Sequence, residues 1–116
     1  MTKKQKRIMR QPQNQLLVLA ICEQSVLKFI YNGQIRLVEP QTYGVSTTGK
    51  EVLRAYQISG GSRAGVARMA KLFEVAKMKD LERTDKTFRA ALNSHNPHDS
   101  AMTEIFATLP KAPVEA

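Results

Sequence analysis

The chain has 116 residues, 42% of them hydrophobic and 24% charged, enough for one small core and too few for two, so a multidomain enzyme is not expected. Eighteen Lys plus Arg against ten Asp plus Glu give a net charge of +8, a balance that favours acidic partners such as nucleic acid or an anionic surface. No apolar run reaches the roughly 18 to 20 residues of a spanning helix, and Leu16 to Cys22 lacks a small-residue cleavage signal, so a cytoplasmic protein without membrane contact is expected. The single cysteine, Cys22, cannot close an internal disulfide and suits a reducing compartment.

Residues 1–12 read as a basic arm, disordered when free: Lys3, Lys4, Lys6, Arg7 and Arg10 stand without an acid and without core-forming periodicity. Such an arm either lies along a phosphate backbone or serves solubility. A milder excess, eleven basic against six acidic side chains over residues 26–88, belongs to the folded part. The folded domain is expected over residues 13–109, ahead of a frayed tail from 110 to 116 marked by Pro110 and Pro113.

Gln13 to Ser25 predicts a helix, with Leu16, Leu17, Ala20 and Ile21 at helical spacing after Pro12 and Asn14, and with Cys22 expected as core packing. Val26 to Tyr31 predicts a strand, Asn32-Gly33 a two-residue hairpin turn, and Gln34 to Glu39 its partner strand, ended by Pro40. That loop sets Tyr31 opposite Gln34, Phe29 opposite Arg36 and Leu27 opposite Val38, leaving Lys28, Ile30, Ile35 and Leu37 on the other face. Because both faces are partly apolar, a small barrel with one face inside and a helix over part of the other is expected. Further strands are predicted at Tyr43 to Thr47, Glu51 to Ile58 and Arg68 to Val75, with a short last one near Lys79 to Arg83. After Asn96-Pro97, Asp99 reads as an N-cap, and Met102, Ile105, Phe106 and Leu109 fall at i, i+3, i+4 and i+7, which predicts a closing amphipathic helix. The expected fold is mainly β, a barrel of about five strands flanked by an N-terminal and a C-terminal helix.

Several constellations carry chemistry. Arg36 beside Phe29 and Tyr31 on one hairpin face is an arrangement that stacks bases and neutralises phosphate, unless Phe29 simply fills the core. On the strand after the glycine loop, Lys71 alternates with Met69, Phe73 and Val75, so it either snorkels or meets an anion, and Arg54 between Val52 and Tyr56 presents the same choice. Gly60, Gly61, Ser62, Arg63 and Gly65 form either a mobile hairpin loop or a cradle of backbone N–H groups with Arg63 adding charge; the spacing is not that of a phosphate loop. His95, His98 and Asp99 lack the third and fourth ligands of a defined zinc site, so no metal is expected. No nucleophile–base arrangement, carboxylate pair or dinucleotide fingerprint is present, and neither enzymatic activity nor a cofactor is expected.

The run FIYNG at 29–33, RLVEPQTYG at 36–44, GKEVLRAYQ at 49–57, SGGSRAG at 59–65 and KLFEVAKMKDL at 71–81 resembles the WYL domain, a bacterial and phage module with an Sm-like or SH3-like barrel. The closing HNPHDSAMTEIFATL at 95–109 resembles the tail of short, stand-alone WYL-like proteins. The naming tripeptide falls on Glu51, Val52 and Leu53, of which only the leucine matches, with Tyr56 at the aromatic position after it. The basic-aromatic-basic strand falls on Lys71, Phe73 and Lys77, with lysine where arginine is usual and without its bidentate fork.

The resemblance implies a ligand-sensing module of transcription regulation or phage defence, one that binds single-stranded nucleic acid or a nucleotide and relies on a protein partner for a DNA-binding head. The roles expected from the residues are stacking for Tyr31 and Tyr56 and anion contact for Arg36, Arg54, Arg63, Lys71 and Lys77, with Phe73 among the ligand-site residues. The alternative is a protein-interaction or oligomerisation module, homo-oligomeric through strand edges, whose charge serves solubility.

Overall fold

The computed structural model describes residues 11–60, 70–89, 91–92 and 94–111; the basic arm to residue 10, the glycine loop from 61 to 69 with Arg63, and the tail from 112 lie outside the described residues. Within them the chain is mainly β, with one helix, α1 (Gln15–Cys22), and six strands: β1 (Ser25–Tyr31), β2 (Gln34–Ser46), β3 (Glu51–Gly60), β4 (Lys71–Glu74), β5 (Lys79–Thr87) and β6 (Met102–Thr108). A single 3-10 turn, Val75–Lys77, separates β4 from β5.

Asn14 starts the helix: its side-chain carbonyl accepts the Leu17 N–H at 3.2 Å, satisfying one of the unpaired first-turn donors. Leu17, Ala20 and Ile21, at i, i+3 and i+4, are the buried stripe. The helix ends at Cys22, short of the expected Ser25, and Gln24 takes a left-handed turn at φ 53° into β1. Cys22, one position past the stripe, is exposed, which corrects the expectation that it packs in the core.

The hairpin forms in the expected register, Leu27 with Val38, Phe29 with Arg36 and Tyr31 with Gln34. Asn32 and Gly33 both have positive φ, 53° and 77°, the two-residue turn whose twist matches its strands. Antiparallel pairing runs β4-β3-β2-β1-β5, and β6 joins the second half of β2. No pairing joins β4 to β5 among the described residues.

Pro40 does not end a strand; β2 runs through it for 13 residues. Pairing with β1 reaches only to Val38, and pairing with β6 starts at Thr42, so the missing proline N–H falls where β2 changes partners. On the β3 side the register shifts between Pro40 and Thr42.

The closing segment is a strand, not the expected helix. Beyond Pro40 one edge of β2 is open, and Met102–Thr108, with its Thr, Ile and Phe content, pairs there from Thr42–Thr108 to Ser46–Met102. Gly44 permits the approach: a Cβ there would collide with the Glu104 carbonyl oxygen. The segment expected as Arg68–Val75 is a strand only over Lys71–Glu74 in the described part, and the last predicted strand extends to Thr87.

The core gathers Leu17, Ala20 and Ile21 of the helix against Leu27, Phe29, Val38, Tyr43, Leu53, Ala55 and Phe73 of the sheet, with Leu109 behind β6. Tyr43, fully buried, hydrogen-bonds Glu51 through its hydroxyl, which also accepts the Asn14 N–H at 3.1 Å. Burial first, then the Glu51 carboxylate, pushes that phenol's pKa far up, so it stays protonated and ties the helix start to β2 and β3.

Candidate anion-binding site

Strand alternation sorts the expected site residues onto two faces. Arg36 pairs across from Phe29, Phe73 from Leu53, and Lys71 from Ala55, so Arg36, Lys71 and Phe73 share the inner, core-facing side with Tyr31. Arg54 and Tyr56 alternate with Leu53 and Ala55 and take the outer side.

The inner group centres on Arg36, which is only 7% exposed. Its guanidinium carbon lies 5.5 Å from the Tyr31 ring centre and 5.9 Å from that of Phe73. The rings of Phe29, Tyr31 and Phe73 meet edge to face, with centres 5.0 to 6.1 Å apart. One guanidinium NH2 group donates to Gln57 Oε1 at 3.2 Å and the other to the Tyr31 carbonyl at 3.1 Å, while Nε–H is buried without a partner among the described residues. No carboxylate among the described residues lies within ion-pair distance of Arg36.

Phe29 and Phe73 are core side chains, and Tyr31 is a seat for the guanidinium whose hydroxyl accepts the Glu74 N–H at 3.0 Å. Burial closes Phe29 and Phe73 off from a base, while Tyr31 is half-buried; what the arrangement adds is charge. Desolvating a guanidinium without a counter-charge costs several kcal/mol; each desolvated ring contact returns about 2 kcal/mol or more, but neither ring meets the buried Nε–H. Arg36 is therefore a cation still short of an anion. Lys71, half-buried at the start of β4, lies opposite Ala55, two residues from Gln57, and adds a second positive charge to the same face.

The outer residues are differently placed. Arg54 Nε donates to Asp99 Oδ2 at 2.8 Å and an Arg54 NH2 group to Asp99 Oδ1 at 3.2 Å, a bidentate pair. The Arg54 hydrogen bonds hold the Asp99 carboxyl below its ordinary pKa, against the opposing effect of burial. Tyr56 is half-buried opposite Glu39, whose carboxyl is raised by burial. Lys77 lies in the 3-10 turn, exposed, 3.8 Å from Glu74, and belongs to neither face. Arg63 lies outside the described residues.

Sequence reasoning missed Gln57 and Asp99 as partners. Gln57 carried a signal, a polar residue two after Ala55 on the buried side of its strand. Asp99 was read as a helix cap, which hid its long-range partner 45 residues away.

Compared with protein-family models, curated proteins and solved structures, the chain shows no match.

Proposed function

We propose that the chain is a ligand-sensing module that binds an anion, a nucleotide or single-stranded nucleic acid, on the face that holds Arg36 and Lys71. The observation that carries this reading is the buried Arg36 guanidinium, with no carboxylate among the described residues and one N–H unspent. Phosphate oxygens supply both what the charge lacks and what the N–H lacks, and Arg is the side chain best suited to that geometry. Tyr31 and Phe73 act beneath the cation rather than against a base, and the basic arm adds delocalised attraction. Regulatory work of the WYL type, in transcription or phage defence beside a partner with a DNA-binding head, is the setting this reading favours. An Sm-like or SH3-like barrel, opened between β4 and β5, is the matching fold reading; its support is the long β2, shared by both halves of the sheet.

The second reading, a protein-interaction module, draws on Ile35 and Ile58, 53% and 40% exposed near the β1–β2 turn end of the sheet. Binding of a fluorescent single-stranded oligonucleotide across a salt series separates the two. The anion reading expects affinity to fall with salt, at a slope of roughly −0.7 per phosphate neutralised, and to drop at least about tenfold in an Arg36→Gln/Lys71→Gln variant. Equal affinity of variant and wild type removes this face from the proposal. A defined oligomer in light scattering, without oligonucleotide binding, supports the second reading.

A further inference from the structure

A cavity of about 240 Å³ lies away from Arg36, between β2, β3 and the segment that leads into β6, and its lining includes Gln41, Arg54, Ser94, His95, Asp99 and Ser100. Its walls are held in place. Gln41, fully buried, donates to the Glu39 carbonyl at 3.1 Å and accepts the Leu92 N–H at 3.0 Å. Asp99 fixes Arg54 through Nε and one NH2 group, so the other NH2 group has no partner among the described residues. The Ser94 and Ser100 side chains are exposed, and their hydroxyls likewise have no partner among the described residues.

His95 is the decisive wall. It is 8% exposed, and its Nε2 lies 2.7 Å from the Leu109 carbonyl oxygen. A carbonyl only accepts, so Nε2 carries the proton, and Nδ1 of the neutral ring is left as an acceptor with no partner among the described residues. The cavity therefore holds donors on one side, the free Arg54 NH2 group and two hydroxyls, and on the other the ring-nitrogen acceptor of His95, a largely buried residue. An oxyanion that keeps one O–H satisfies both sides; one without an O–H sets a lone pair against Nδ1.

We propose that this cavity binds inorganic hydrogen phosphate, its charged oxygens taking the Arg54 and serine donors and its P–O–H donating to His95 Nδ1. The site is independent of the Arg36 reading. Sulfate, of the same shape and charge as hydrogen phosphate but without a proton, is discriminated against, as is a phosphodiester, so the nucleic-acid backbone is not its ligand.

The test uses the full chain near pH 8 and long-range ¹H–¹⁵N spectra of the imidazoles, titrated with sodium phosphate or with sodium sulfate at matched ionic strength. The expected result is a saturable displacement of the His95 Nδ1 signal by phosphate and binding of sulfate at least about tenfold weaker. A His95 signal that phosphate leaves in place, or that sulfate moves at equal affinity, overturns the proposal. A Ser94→Ala/Ser100→Ala variant is expected to keep the wild-type backbone spectrum and weaken phosphate binding several-fold; unaltered affinity overturns the assignment. An Arg36→Met variant is expected to retain the phosphate response at His95, and loss of that response would assign the phosphate to the other face and overturn the second site.

Discussion

Arg36 and Arg54 are the same residue on adjacent strands, and their surroundings differ in one decisive respect. Arg54 takes the outer side of β3 and is held by a bidentate carboxylate, Asp99, drawn in from 45 residues away. Arg36 faces inward, is far more buried, and has two aromatic rings and two neutral acceptors where a carboxylate is expected. A partly exposed, paired arginine works as a tie within the fold. A buried one with neither counter-charge nor full hydrogen bonding detracts from the stability of the free protein, and an anionic ligand is what offsets that cost.

The largest effect that sharpens this comparison is expected at Phe73, which is both core and part of the Arg36 seat. Phe73→Ala should lower unfolding free energy by about 3 to 4 kcal/mol in urea denaturation, whereas Leu72→Ala, on the exposed side of the same strand, should cost under about 1 kcal/mol. Comparable losses at the two positions would mean that the inner face is not the packed one.

On the outer side, Asp99→Asn should cost about 2 kcal/mol, because it removes the charge from a part-buried bidentate pair. The Asp99 carboxyl is held below its ordinary pKa in the folded state. Its contribution is therefore complete above the ordinary carboxylate range and disappears as pH falls through the lowered value. Thermal melts across an acid series should show a shallower loss of stability in the Asn variant; curves that run parallel to wild type would show that the pair is not what titrates.

The smallest effect is expected at Lys77, whose exposed contact with Glu74 belongs to neither face. Lys77→Gln should leave stability within about 0.5 kcal/mol and, apart from one delocalised charge, leave oligonucleotide affinity alone. A drop as large as that of the Arg36→Gln/Lys71→Gln variant would extend the site into the 3-10 turn.

What was legible in the sequence was local. Asn32-Gly33 fixes a turn, the turn fixes the register, and so Phe29 opposite Arg36 could be read directly. The spacing of Met102, Ile105, Phe106 and Leu109 also fits a helix, and nothing within residues 99–109 reveals the open edge of β2 that recruits them as a strand. Gly44 was the long-range clue, intelligible only once Glu104 is known to lie against it. Pro40 misled for a similar reason: a proline ends a strand only if its N–H is needed, and here it falls between two partners. For the candidate site, residue types and strand faces were readable, but burial was not. Tyr31 and Phe73 lie against the Arg36 guanidinium, Tyr56 falls on the other face, and the acid that claims Arg54 comes from a segment distant in sequence.

The central claim is that Arg36 is kept for an anion at the expense of the free fold, and Arg36→Met tests it most directly by replacing the guanidinium with an apolar chain of similar reach. Paired urea denaturation and oligonucleotide titration should show unfolding free energy unchanged or raised, by up to about 1 kcal/mol, while affinity falls at least about tenfold. A variant destabilised by about 2 kcal/mol or more that still binds like wild type would make Arg36 a structural residue and contradict the account.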